Sequence, residues 1–268
     1  MPAPKNLFKQ ALKEGRAQIG LWQALANPYT VEISAGAGYD WLLLDAEHAP
    51  NDVPLLVSQL QAMKGAASHA VIRPPVGETW IIKQMLDIGA QTLLIPMVDS
   101  KEMADAMVRA MRYPPQGVRG VGAALARASA FNRIPDYLQT ANDEICLLLQ
   151  VESRAGLAAL DAIASTDGVD GVFIGPADLA ADMGHLGKPG ARAVQAEVEK
   201  ALARIQSHGK AAGILIGDLS LAKRYLELGA TFVAIGNDVT LLTNATTRLL
   251  DDFKKAEPSR PATDAKAY

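Results

Sequence analysis

The stretch Trp41-Leu42-Leu43-Leu44-Asp45-Ala46-Glu47-His48-Ala49-Pro50 decides the fold. An apolar run ends abruptly in two carboxylates and an imidazole. A parallel strand buried on both faces reads as continuous apolar sequence, and α/β enzymes carry their reactive groups where such strands end. The pattern recurs in Val71-Ile72-Arg73-Pro74, in Leu147-Leu148-Leu149-Gln150-Val151-Glu152 and in Val172-Phe173-Ile174-Gly175-Pro176-Ala177-Asp178. These junctions converge on one edge of one fold.

Outward from that stretch, strands are expected at Gln18–Trp22, Trp41–Asp45, Ala70–Arg73, Thr92–Val98, Ile145–Glu152, Gly171–Ile174, Gly213–Ile216 and Phe232–Ile235. Amphipathic stretches lie between them, such as Val53–Met63, Thr79–Ile88, Lys101–Arg112, Val194–Ser207 and Leu219–Leu228, several closed by a glycine (Gly89, Gly209, Gly229). Eight strands each followed by a helix is the count of a (β/α)8 TIM barrel, expected as one domain over residues 1–256. The segment from Glu257 lacks periodicity and is expected to be a mobile tail. In a barrel, residues just after strands read as functional and residues just before them as structural, so His69 and His208 read as structural. His185, in Met183-Gly184-His185-Leu186-Gly187, is a second-tier candidate for the barrel mouth.

Composition excludes several classes. With 268 residues and a net charge of −3, the chain has a barrel's length and no excess of basic residues for a nucleic-acid partner. The single Cys146 rules out an intramolecular disulfide and opens an apolar strand, as a core thiol does. No signal core and no membrane-spanning run occur, so the expected compartment is the cytoplasm. The connection Tyr113–Asp143 is far longer than the usual length of about six residues. It is rich in small residues, carries Arg119, Leu125 and Arg127, and leaves from the face opposite the reactive edge. That placement points to packing against a neighbouring subunit.

The chemistry follows from the strand ends. Glu152 and Asp178 close adjacent strands, and two carboxylates converging without a cation repel each other. A divalent ion resolves this: two carboxylate oxygens plus water and substrate oxygens suit Mg²⁺ or Mn²⁺ rather than a closed zinc site. The alternative is that each acid caps a helix. Gly175-Pro176-Ala177 leads into a helix whose free N–H groups suit a small carboxylate, and beside a metal ligand this favours a chelating 2-oxo acid. Arg73 is placed to stabilise enolate charge, or else to pair with Glu47 or Asp45. His48 is the natural acid/base group, with Asp45 three residues away to orient a ring nitrogen. No lysine ends a strand, which removes Schiff-base aldol chemistry, and no phosphate-binding loop or dinucleotide fingerprint occurs.

Taken together, Asp45-Ala46-Glu47-His48-Ala49-Pro50, Arg73-Pro74, Tyr113-Pro114-Pro115-x-Gly117-x-Arg119-Gly120, Gln150-Val151-Glu152 and Gly171-Val172-Phe173-Ile174-Gly175-Pro176-Ala177-Asp178-Leu179 resemble the 4-hydroxy-2-oxoheptane-1,7-dioate aldolase family, class II pyruvate aldolases of the phosphoenolpyruvate/pyruvate superfamily. The resemblance spans about Leu7 to Phe253. It implies a divalent metal (Mg²⁺, Mn²⁺ or Co²⁺) on Glu152 and Asp178, enolate stabilisation by Arg73, and acid/base work by His48 with Asp45. Pyruvate contacts from Gln150, Gly175, Pro176 and Ala177 are implied, with Trp22 and Leu215 lining the pocket. Ala46 stands where close relatives are expected to carry glycine, which removes no functional group. The implied assembly is a homohexamer of exchanged-helix dimers, with Asp87, Arg119 and Leu125 as inter-subunit residues. The implied reaction is reversible cleavage of a 4-hydroxy-2-oxo acid to pyruvate and an aldehyde such as succinic semialdehyde, through a metal-bound pyruvate enolate. A citryl-CoA or malyl-CoA type lyase and a catalytically silent barrel serving as an interaction module are the rivals.

Overall fold

The computed structural model describes residues 1–255; the expected tail from Glu257 lies outside the described residues. Eight parallel strands close on themselves in chain order: β1 (Gln18–Gln23), β2 (Trp41–Asp45), β3 (His69–Arg73), β4 (Thr92–Ile95), β5 (Cys146–Val151), β6 (Gly171–Ile174), β7 (Ala211–Leu215) and β8 (Phe232–Asn237). The helices are α1 (Leu7–Lys13), α2 (Pro28–Ala35), α3 (Val53–Ala62), α4 (Thr79–Asp87), α5 (Lys101–Met111), α6 (Tyr137–Glu144), α7 (Arg154–Ala164), α8 (Pro176–Asp182), α9 (Arg192–Ser207), α10 (Leu219–Glu227) and α11 (Asp238–Lys255). The barrel expected from the sequence is the barrel found. None of the described helices is long and apolar enough to cross a membrane.

Side-chain alternation fills two cores. Leu42, Leu44 and Ile72 face the helix layer, whereas Trp41, Leu43 and Val71 face the barrel interior. The interior alternates large and absent side chains: a Cβ on Gly20 would collide with the Trp41 ring, and Gly213 makes the same room for Phe232. Phe8 of α1 plugs the amino-terminal end, stacked on His69 with ring centroids 5.3 Å apart. Gly89, Gly209 and Gly229 follow α4, α9 and α10 in left-handed conformation, as helix C-termini favour.

Several strand boundaries differ from expectation. β4 stops at Ile95 rather than Val98, because Pro96 has no N–H for the ladder and Met97 turns left-handed at φ 56°. β7 starts two residues earlier, at Ala211. The long connection is not irregular throughout, since α6 and a 3-10 turn at Arg127–Ser129 occupy part of it.

His69 opens β3 rather than preceding it, and its Nε2 lies 2.7 Å from Thr92 Oγ1. Burial pushes this imidazole down to about 4. Because the folded value lies below the unfolded one, the unfolded chain takes up the proton first as pH falls from about 6.5 to 4, and stability is lost across that window. At roughly 1.4 kcal/mol per pH unit the loss reaches about 2–3 kcal/mol. Urea midpoints at pH 7 and 4.5 should therefore fall further in the wild type than in His69→Gln; equal falls would contradict this assignment.

Candidate active site

Every reactive side chain singled out in the strand-end motifs lies at the carboxyl-terminal mouth of the barrel. The β2–β3 register sets Asp45 directly opposite Arg73. Arg73 donates from Nε to Asp45 Oδ1 at 2.9 Å and from Nη2 to Oδ2 at 2.6 Å, a bidentate pair. The guanidinium lies over Trp22, 5.0 Å from the ring centroid, and the indole N–H donates to Asp45 at 3.2 Å. Burial works against ionisation of Asp45, but the hydrogen bonds and charge of Arg73 outweigh it and hold the carboxyl below its usual range.

This pairing corrects the expectation that Asp45 orients the His48 ring. Asp45 Oδ1 accepts from the backbone N–H of Glu47 at 3.0 Å and of His48 at 3.4 Å, while both its oxygens are committed to Arg73. Asp45 therefore shapes the loop carrying His48, and the imidazole is 67% exposed with Glu47 Oε2 3.9 Å from its Nε2. Ala46 causes no left-handed strain in this turn.

Glu152 follows β5 and is 2% exposed. Its Oε1 accepts from the Met97 N–H at 3.0 Å and its Oε2 from Gln150 Nε2 at 2.5 Å. Burial pushes this carboxyl up to about 7 against those two donors, with the charges of Asp178 and Glu47 adding to the shift. Among the described residues it has no ion-pair partner, and neither has Asp178, which is exposed in the first turn of α8. A buried acid near a second acid, with no cation of the chain against it, is a donor set that fits a divalent ion. No three His, Cys, Asp or Glu side chains among the described residues form a metal cage, so two carboxylates would leave the other positions to water and substrate oxygens.

Gly175 is required by proximity: a Cβ there would lie 2.8 Å from Glu152 Cβ and 3.3 Å from Gln150 Nε2. Its N–H is not free, since it donates to Val151. The unpaired donors at this helix start are the N–H groups of Ala177 and Asp178, beside the buried ring of Pro176. Gln150 Oε1 is buried without a partner. Leu215 ends β7 and packs on the interior core next to Trp22.

The three residues expected at a subunit interface separate. Arg119 is 1% exposed, donates to Asp87 at 2.7 Å and stacks on Tyr113, so its side chain faces its own barrel and cannot meet a neighbour. Asp87 stays partly exposed, and Leu125 is 87% exposed. His185 lies beyond the far end of α8, where its backbone N–H closes that helix on Ala180. His208 pairs with Asp161 away from the site. Glu47, expected only as an alternative partner of Arg73, does lie against it, Oε2 2.9 Å from Nη1.

A closed parallel barrel with paired acids, an arginine and a histidine at its carboxyl-terminal mouth defines a barrel enzyme acting on small carboxylate substrates. The chain belongs to the HpcH/HpaI aldolase/citrate lyase family, whose model matches residues 18–245. It is 58% identical, over the full length of both chains, to a hydroxypyruvate/pyruvate aldolase of Pseudomonas aeruginosa. It is 57% identical to a 4-hydroxy-2-oxo-heptane-1,7-dioate aldolase of Escherichia coli, across 93% of this chain and 95% of that one. A crystal structure of a family protein from Burkholderia cenocepacia superposes with a TM-score of 0.90 at 40% identity, covering 93% of this chain and all of the other.

Proposed function

We propose that this chain is a divalent-metal-dependent pyruvate aldolase that reversibly cleaves 4-hydroxy-2-oxo acids to pyruvate and an aldehyde. The observation that carries this reading is Glu152: a carboxylate 2% exposed, near Asp178, with no cation against it among the described residues. Glu152 and Asp178 would hold Mg²⁺, Mn²⁺ or Co²⁺, which when bound supplies Lewis-acid stabilisation of the 2-oxo group. The N–H groups of Ala177 and Asp178 and the amide of Gln150 would orient the substrate carboxylate. Trp22 and Leu215 form apolar walls. His48, directly or through water, takes the C4 hydroxyl proton as C3–C4 breaks. Arg73 then faces the developing enolate, and a proton returns to C3 to give pyruvate.

One group of relatives is named for hydroxypyruvate as well as pyruvate, so hydroxypyruvate joins pyruvate as a candidate substrate in the synthetic direction. The test is release of free pyruvate and succinic semialdehyde from 4-hydroxy-2-oxoheptanedioate, followed with coupled dehydrogenases. Turnover of an acyl-CoA with no free aldehyde would favour the CoA-lyase rival instead.

The assembly proposed is a hexamer of helix-exchanged dimers. In α11 only Asp238 is buried, while Leu241, Leu242, Leu249, Leu250 and Phe253 are exposed, the last at 67%. An apolar helix face that finds no cover on its own barrel needs another surface. The exposed Tyr29 and Ile33 of α2 offer one on a second copy. Light scattering should give a hexamer for the wild type and a smaller species for Leu249→Asp/Phe253→Asp, and Leu125→Asp should alter assembly or aldehyde preference without loss of metal affinity. A fully active wild-type monomer at assay concentration would refute the shared assembly.

A further inference from the structure

Arg73 is held on a second side. Asp45 occupies its Nε and Nη2, and Glu47 Oε2 lies 2.9 Å from the remaining nitrogen, Nη1. The same Glu47 oxygen lies 3.9 Å from His48 Nε2. It makes no aligned hydrogen bond, so both contacts are contacts of charge. One largely buried carboxylate thus touches the group assigned to the enolate and the group assigned to the proton. Burial pushes the Glu47 carboxyl up; Arg73 and His48 counter this, while Asp45 and Asp178 add to it. Glu152 also feels its charge.

The geometry points to Glu47 as a positioning residue that couples Arg73 to His48: one carboxylate oxygen lies against both the guanidinium and the imidazole. This inference rests on the aldolase reading. Asp45 holds one edge of the guanidinium by two hydrogen bonds, and the Glu47 charge lies against the remaining nitrogen. The Glu47 charge also lies beside the ring assigned to the C4 hydroxyl proton.

Glu47→Gln keeps the shape and removes the charge. It is expected to lower kcat about 10–100-fold, the usual effect of losing a partner that orients a reactive group, with KM little changed. The acid limb of the kcat/KM–pH profile should move, since a charge 3.9 Å from the His48 ring is gone. Glu47→Ala should move the limb likewise, and Glu47→Asp, which keeps the charge, should leave it near its wild-type position. Calorimetric Mn²⁺ affinity should fall far less than kcat in Glu47→Gln and Glu47→Ala and stay near wild type in Glu47→Asp. A wild-type rate and profile in Glu47→Gln overturns the inference, as does a limb that moves equally in Glu47→Asp, or Mn²⁺ affinity that falls in step with kcat. A wild-type enzyme with no aldol activity would instead sink the functional reading on which it rests.

Discussion

Treatment with a chelator is expected to abolish cleavage of 4-hydroxy-2-oxo acids, and added Mg²⁺, Mn²⁺ or Co²⁺ to restore it. The reasoning starts from charge. Glu152 is buried with its carboxyl pushed up to about 7, and the neighbouring Asp178 and Glu47 make further negative charge there unfavourable. A divalent cation turns that repulsion into attraction, so the pair is of use only with the ion in place. No lysine stands at the end of a barrel strand to offer a Schiff-base route. Borohydride with pyruvate should accordingly leave activity intact. Glu152→Ala and Asp178→Ala should lose Mn²⁺ binding by calorimetry as well as turnover. Full turnover in excess chelator, or a lysine adduct found by mass spectrometry, would exclude this account.

Loss of the polar groups that face the substrate should be nearly as damaging. Arg73→Ala removes a guanidinium from the mouth and is expected to lower kcat by roughly 10²–10³, the usual effect of deleting a charge-stabilising donor. It also strips Asp45 of its bidentate partner, so a buried carboxylate is left uncompensated. Arg73→Lys should recover little, because an ammonium cannot span both oxygens of Asp45 and reach Glu47. His48→Ala should lower kcat by about 10²–10⁴. Its side chain is exposed and bears no structural load, so the folded state should be unaffected. Steady-state rates and thermal melts decide both cases: near-wild-type cleavage and pyruvate proton exchange in His48→Ala would remove His48 as the base.

The barrel was legible because parallel strands covered on both sides are continuous apolar runs, and β2 and β6 end where the run ends. β4 was not, because Val98 keeps the run apolar past the point where Pro96 and Met97 break the ladder. Pairing of Asp45 with Arg73 was open in the sequence only as the alternative role of Arg73. A spacing of three residues suggested His48, but strand register brings Arg73, 28 residues away, directly opposite. Arg119 looked like an interface residue because it sits in a long small-residue loop. Its partners Asp87 and Tyr113 converge only in the fold. That the apolar face of α11 is uncovered by its own chain is likewise beyond the reach of periodicity.

The central claim is that this site generates a pyruvate enolate with the help of a divalent ion. Its most direct test needs no knowledge of the aldehyde: proton NMR of pyruvate in D₂O with the purified enzyme. Accelerated loss of the C3 methyl signal with Mn²⁺ or Mg²⁺, abolished by chelator and by Glu152→Ala, is the predicted result. No acceleration by the folded, metal-supplemented wild type, or acceleration indifferent to chelator, would contradict it.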